Sequence, residues 1–176
     1  MDLRIVVSGV LAALLSGCAA STSDIPAVKN FELERYLGNW YEIARLPHRF
    51  ERDLYLVRAE YSLNPDGSVR VVNSGVRGGE ARTAVGRAVL KDPSATPPAG
   101  ELQVSFFRPF YADYRIIELD PEYRYAVVTG STRDYLWIIS REPKMAKPQL
   151  AAILDRLRKL GFAVDDLEFP RQDQGR

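Results

Sequence analysis

The chain contains one cysteine and one histidine in 176 residues. A single cysteine excludes an intrachain disulfide and a thiolate zinc site, and a single histidine excludes zinc sites of the HExxH type. Neither positive nor negative charge is in large excess, because 24 lysines and arginines balance 23 acidic residues. The net charge of +1 argues against nucleic-acid binding, which usually requires a basic excess. A catalytic triad of the Ser-His-Asp type would have to use His48.

Long hydrophobic runs are scarce, and the one near the start is short. Residues 5–15 carry no charge, but eleven residues are too few for a helix that spans a hydrocarbon core about 30 Å thick. A short apolar stretch after a charged start is typical of a secretory signal. It ends in Leu15-Ser16-Gly17-Cys18, which resembles the lipobox of bacterial lipoproteins. The resemblance implies cleavage before Cys18 and acylation of that residue.

The lipobox sets the expected segment boundaries. Residues 1–17 are expected to be a signal peptide, and residues 18–30 a lipidated tether, because they are small, polar and contain proline. The folded domain is expected over residues 31–170, with a tail at 171–176. Alanine rather than aspartate follows Cys18, and in the enteric sorting that such signals resemble this implies the outer membrane. We expect acylated Cys18 to anchor a domain that faces the periplasm.

The body of the chain shows the alternation of apolar and polar residues that predicts β-strands. In residues 57–63, for example, Val57, Ala59 and Tyr61 alternate with Arg58 and Glu60. Eight such segments are predicted, at residues 40–45, 57–63, 69–74, 83–90, 101–106, 114–119, 125–129 and 136–140. The short turns between them imply an antiparallel up-and-down order. Eight strands of this kind form either a sandwich or a closed barrel.

A helix is predicted after the strands. Leucine and isoleucine recur with helical spacing at positions 150, 153, 154, 157 and 160. Pro148 suits the first turn of this helix and Gly161 its end. The pattern predicts one amphipathic helix packed on the barrel wall, followed by a short edge strand at residues 164–169.

Several motifs resemble those of the lipocalins. Gly38-Asn39-Trp40 has the G-x-W pattern that opens the first strand in that family, and residues 120–126 resemble its second motif without the usual threonine. Arg141 falls where the third motif has its arginine. Residues 40–47 and 134–137 are similar to the bacterial members in particular. The resemblance covers roughly residues 31–169 and implies an all-β fold, an eight-stranded antiparallel barrel shaped as a calyx, with one C-terminal helix packed on it.

The resemblance also implies roles for individual residues. It places Trp40 across the closed end of the barrel with Arg141 on its ring, a contact that contributes roughly 0.5–2 kcal/mol. Gly38, Trp40 and Arg141 are therefore expected to form the floor and not a catalytic site. Strand parity then predicts a mostly aromatic inner face, suited to a long apolar ligand with one polar end. The expected ligand-binding residues are Tyr61, Asn73, Val104, Phe106, Tyr114, Trp137 and Ile139.

The implied function is that of a membrane-anchored lipid-binding protein. It would store or carry a fatty acid, a lysophospholipid or a similar ligand and support envelope maintenance or the stress response, with no cofactor. Arg49, Arg52 and Arg108 are candidates to contact an anionic head group. The aromatic loops that contain Phe50, Phe110 and Tyr111 are candidates for membrane or homodimer contacts.

Three other functions stay open at the level of sequence. An enzyme could use His48, the only side chain that ordinarily titrates near neutral pH, although no nucleophile or metal partner is identifiable from spacing. A carrier of a tetrapyrrole or another pigment fits an aromatic cup, but lacks a cysteine for covalent attachment. A structural adaptor would fill the barrel with its own side chains, so the cavity volume discriminates it from a carrier.

Overall fold

The computed structural model describes residues 20–49 and 51–173. Within them, eight antiparallel strands form a closed barrel in up-and-down order. The strands are β1 (Gly38–Arg45), β2 (Tyr55–Leu63), β3 (Val69–Arg77), β4 (Glu80–Leu90), β5 (Glu101–Phe107), β6 (Phe110–Leu119), β7 (Tyr125–Thr129) and β8 (Leu136–Ser140). β8 pairs with β1, which closes the barrel and excludes the sandwich. The predicted fold class is confirmed.

The strands lie where the alternation predicted them, but two hairpins extend further. β3 continues to Arg77, beyond its predicted end at residue 74, and β6 begins four residues before the predicted start at Tyr114. Neighbouring strands hold both extensions, since Arg77 pairs with Glu80 and Phe107 pairs with Phe110. In β3, pairing across the hairpin therefore outweighs the local preference of Gly75 for a loop.

Because neighbouring strands alternate in direction, the connections divide between two ends of the barrel. One end, called the closed end below, contains Trp40 near the start of β1 and the turns at residues 64–68, 91–100 and 120–124. The connections at residues 46–54, 78–79, 108–109 and 130–135 lie at the other end, called the mouth.

The described residues also contain two α-helices and one 3-10 turn: α1 (Leu33–Tyr36), α2 (Lys147–Lys159) and the turn Val164–Asp166. As predicted, α2 follows the barrel, and its buried residues Ile153 and Leu157 belong to an apolar cluster with residues of β1, β7 and β8. None of the described helices is long and apolar enough to cross a membrane.

The predicted edge strand at residues 164–169 is wrong. Only Glu168 pairs with a strand, through two backbone hydrogen bonds to Arg45 of 3.0 and 2.8 Å. Val164 and Leu167 are both buried in the cluster beneath α2. Side chains three positions apart point to opposite faces of a strand. The 3-10 turn lets both of them reach the same core.

Residues 20–30 lie along the barrel, which differs from the free tether expected over residues 18–30. The hydroxyl of Thr22 donates to the carbonyl of Gly130 at 2.7 Å, and the guanidinium of Arg115 donates to the carbonyls of Thr22 and Ile25. Ile25 is only 3% exposed. The sequence of residues 20–30 could not predict this contact. Ile25 is a single large apolar residue among small and polar ones, so the segment has no repeating apolar pattern.

The expected signal peptide, Cys18 and Phe50 lie outside the described residues, as do residues 174–176 of the expected tail.

The C-terminal residues complete the barrel wall beside β1 and β2. These two strands pair directly only from Gly38 to Tyr41 on the β1 side. Further towards the mouth, the side-chain amide of Gln172 donates to the carbonyls of Glu42 at 2.7 Å and Val57 at 2.8 Å. The backbone N–H of Leu56 donates to the carbonyl of Arg171. The first residues of the expected tail are therefore part of the wall.

Gln172→Ala is expected to lower the free energy of unfolding by about 1–2 kcal/mol, because two carbonyls lose their donor. Gln172→Glu is expected to cost more, since an ionised carboxylate donates no hydrogen bond and would face two carbonyl oxygens. Urea denaturation at pH 7 measures both changes. Asp173→Ala, at an exposed neighbouring position, is the control and should stay within about 0.5 kcal/mol of the wild type. Equal stabilities for all four proteins would contradict the bridging role of Gln172.

Candidate ligand-binding cavity

Trp40 and Arg141 cover the closed end of the barrel. Trp40 is 0% exposed, and its indole N–H donates to the carbonyl of Tyr36 at 2.8 Å. The guanidinium carbon of Arg141 lies 3.8 Å from the centroid of the Trp40 ring. Gly38 has a φ of 94°, and a Cβ at this position would lie 3.4 Å from Nη1 of Arg141. A larger residue at position 38 would therefore have a strained backbone, although its Cβ would fit in ordinary contact with the arginine.

Above this floor lies a mostly apolar cavity, whose wall extends from Leu33 and Tyr36 near the closed end to Glu51 and Trp137 near the mouth. It is lined by Leu33, Tyr36, Glu42, Glu51, Val57, Arg58, Ala59, Tyr61, Val69, Val71, Asn73, Ala88, Leu102, Val104, Phe106, Tyr114, Trp137 and Ile139. All seven residues that we expected to bind ligand lie on this wall, and their contact with a ligand stays a prediction. Arg49, Arg52 and Arg108 do not line it.

The cavity volume bears on whether the barrel is filled by its own side chains. The cavity volume is about 130 Å³. This is smaller than most small-molecule sites, which measure about 300–1,000 Å³. The space suits a slender ligand better than a bulky one.

Three tyrosines form a hydrogen-bonded group on the cavity wall. The hydroxyl of Tyr114 lies 2.7 Å from that of Tyr36 and 3.0 Å from that of Tyr61. Burial raises the pKa of each of the three hydroxyls well above its usual value, so all of them are neutral at physiological pH. The sequence did not predict Tyr36 as a residue of the cavity wall. It lies on the short helix α1 before the first strand, where strand alternation does not apply.

Five side chains form a second polar group nearer the mouth, called the acidic cluster below: Glu42, Arg45, His48, Glu51 and Trp137. Arg45 Nη1 lies 2.6 Å from Glu42 Oε1. Glu51 Oε2 accepts a hydrogen bond from the Trp137 indole at 3.0 Å and lies 2.7 Å from His48 Nε2. The carboxyl groups of Glu42 and Glu51 both belong to residues of the cavity wall.

The two carboxyl groups of the acidic cluster have opposite pKa shifts. Burial, together with the neighbouring Glu51 carboxylate, raises the pKa of Glu42 to about 8, against the opposing effect of Arg45. Burial also acts to raise the pKa of Glu51, but the hydrogen bonds from His48 and Trp137 outweigh it and hold that pKa below its usual value. At neutral pH the cavity wall therefore carries one ionised carboxylate and one largely protonated carboxyl group.

Sequence reasoning missed both glutamates. Glu42 shares the parity of Trp40 on β1, so that alternation could have indicated an inward side chain. Glu51 lies in the connection between β1 and β2, where no periodicity exists. Only the packing of that connection over the mouth brings it to Trp137.

His48 belongs to the acidic cluster. Its described contacts include the carboxylate of Glu51 and the rings of Tyr135 and Trp137, with centroids 6.0 and 5.3 Å away. Among the described residues, no group of three or more histidine, cysteine, aspartate or glutamate side chains could hold a metal ion. The cavity presents apolar walls with a few hydroxyl and carboxyl groups, which suits binding of a mostly apolar molecule.

Comparison with known proteins gives the same fold and a family. A family model described as a lipocalin-like domain matches residues 31–172. The chain is 42% identical over 172 residues to the outer membrane lipoprotein Blc of Citrobacter freundii, covering 95% of this chain and 96% of the relative. It is 32% identical over 159 residues to temperature-induced lipocalin-1 of Arabidopsis thaliana, covering 85% of this chain and 84% of the relative.

Among solved structures, insecticyanin from the tobacco hornworm Manduca sexta superposes with a TM-score of 0.72 at 17% identity, covering 89% of each chain. At this identity the likeness concerns the fold alone. The family model and the bacterial relatives extend over most of the chain and confirm the resemblance that the motifs indicated. The chain belongs to the lipocalin family.

Proposed function

We propose that this protein binds a single-chain lipid, such as a fatty acid or a lysophospholipid, inside its barrel. The observation that carries the proposal is the small, mostly apolar cavity inside a barrel whose closed end is covered by Trp40 and Arg141. An acyl chain suits a small apolar space, and its burial contributes about 25 cal/mol per Å² of apolar surface. A polar end group would remain towards the mouth.

We also propose where the protein works. The Leu-Ser-Gly-Cys sequence at residues 15–18 and the bacterial relatives named outer membrane lipoproteins both support attachment to the outer membrane through acylated Cys18. A cavity that accepts one acyl chain, held at a membrane, suits storage or transfer of lipids during envelope maintenance or stress. Binding alone accounts for these features, so no reaction is assigned to the protein.

Native mass spectrometry of the full chain, expressed in a bacterial host and extracted in mild detergent, tests the proposal. The wild-type protein is expected to carry one bound species with the mass of a single-chain lipid. Ala59→Phe should reduce the bound fraction at least tenfold, because the added ring occupies much of a cavity of about 130 Å³. Ala81→Phe, at an exposed position of β4, is the matched control and should bind like the wild type.

Each alternative outcome of this experiment has a distinct meaning. Lipid that stays bound to Ala59→Phe, when circular dichroism shows a folded protein, would place the ligand outside the cavity. If Ala59→Phe does not fold, Val104→Phe replaces it in the experiment, because Val104 is a half-buried residue of the same cavity wall. A bound tetrapyrrole would favour the pigment carrier, and a wild type without any ligand would favour the structural adaptor. Intact masses with and without Cys18→Ser test the acylation separately.

A further inference from the structure

The tip of the β5–β6 hairpin exposes three aromatic side chains, called the aromatic tip below: Phe107, Phe110 and Tyr111. Phe107 is 79% exposed and Phe110 is 78% exposed, and they pair with each other across the hairpin. Large apolar side chains grouped in this way are unusual on the free surface of a soluble domain and indicate a contact surface. None of the three lines the cavity, so ligand binding inside the barrel does not explain them.

The aromatic tip projects from the mouth end of the barrel. β6 begins to pair with β7 at Arg115, opposite Thr129, where β7 ends. Residues 110–114 therefore extend five residues beyond this last pair, a length of about 16 Å along the strand. The tip therefore lies beyond the last residue pair between β6 and β7.

The start of the described chain is attached to that same connection. The carbonyl of Ala20 accepts a hydrogen bond from the backbone N–H of Arg133 at 2.8 Å, and Ser21 pairs with Thr132. The Arg133 guanidinium also forms an ion pair with Asp24 at 2.6 Å. Ala20, the first described residue, therefore lies at the mouth end of the barrel, and Cys18 precedes it by two positions in the sequence.

We propose that the aromatic tip inserts into the membrane leaflet that holds acylated Cys18, and that the mouth thereby faces the lipid surface. This inference rests on the acylation proposed above. Acyl chains on a short N-terminal segment hold the domain at the membrane but leave its orientation free. A second, aromatic contact on the same end fixes the orientation, because phenylalanine and tyrosine favour the membrane interface. The lipid can then pass between bilayer and cavity without crossing bulk water.

A fluorescent label on the full-length lipidated protein tests the insertion. Acylation consumes the thiol of Cys18, so Phe110→Cys introduces the one free thiol for an environment-sensitive dye. In vesicles of phosphatidylethanolamine and phosphatidylglycerol that contain brominated lipids, this label is expected to be quenched and blue-shifted. Leu63→Cys, at a position that is 51% exposed at the closed end, is the matched control and should show neither effect.

Vesicle flotation separates a failure of the anchor from a failure of this inference. Protein that floats with an unquenched label at position 110 would overturn the inserted tip and leave the anchor intact. Protein that does not float would overturn the acylation and the inference together. Crosslinking between two labelled tips in the absence of quenching would assign the tip to a homodimer.

Transfer kinetics test the consequence for the ligand. Phe107→Ser together with Phe110→Ser is expected to slow the transfer of a fluorescent lysophospholipid from vesicles to the lipidated protein at least about tenfold. The affinity for the same lipid added below its micellar concentration should not change, because neither residue lines the cavity. Unchanged transfer in a protein that retains its anchor would contradict direct exchange with the bilayer.

Discussion

Trp40→Ala is expected to lower the free energy of unfolding by about 3–5 kcal/mol, the usual cost of removing a fully buried aromatic side chain. Trp40 is 0% exposed, and its ring centroid lies 4.8 Å from that of Tyr36. The substitution also removes the aromatic face beneath the Arg141 guanidinium and the indole hydrogen bond to the Tyr36 carbonyl. Urea denaturation followed by circular dichroism measures the loss. Tryptophan fluorescence is unsuitable because the substitution removes one of the two tryptophans.

Trp137→Ala is the matched control for the floor. Trp137 is half-buried on the wall of a cavity that is already open, so its removal widens this space and creates no sealed void. We expect a cost of about half that of Trp40→Ala or less. A Trp40→Ala protein within about 1 kcal/mol of the wild type would contradict the structural role of the floor.

Glu42→Gln is expected to stabilise the protein at pH 8 by about 1–3 kcal/mol and to have little effect near pH 5. The pKa of Glu42 is raised to about 8 in the folded protein, mainly by burial. In the unfolded chain this carboxyl group has its model value of 4.5. Between these two values the folded protein binds a proton that the unfolded chain has lost. The unfolding free energy therefore falls as pH rises from about 4.5 to about 8.

The neighbouring charges make the comparison with the glutamine variant necessary. Arg45 lies 2.6 Å from Glu42 and also contacts Glu168, while Glu51 faces the same space. The pKa of Glu51 is lowered, so its contribution has the opposite sign and is lost as pH falls below about 4.5. The difference in unfolding free energy between wild type and Glu42→Gln, measured from pH 5 to pH 9, isolates Glu42. Parallel curves would mean that Glu42 is ionised throughout, as a simple ion pair with Arg45.

Much of the barrel was predictable because its strands obey a local rule. β7 and β8 begin and end at the predicted residues, and the parity of the strands placed seven expected residues on the cavity wall. The G-x-W motif and Arg141 indicated the floor through family resemblance. The strands depend on the alternation of apolar and polar residues one or two positions apart, and the floor depends on short motifs in the sequence.

The eight strands, the late helix and the inward parity follow from the amino-acid sequence, as does the place of the one cysteine after the apolar stretch. Which distant segments meet depends on the folded barrel: Ile25 lies against the barrel, Tyr36 contacts Tyr114, Glu51 contacts Trp137, and Gln172 lies between β1 and β2. Strand alternation arises from backbone geometry within a few residues. Contacts between residues about a hundred positions apart arise from closure of the barrel, which leaves no local pattern in the chain.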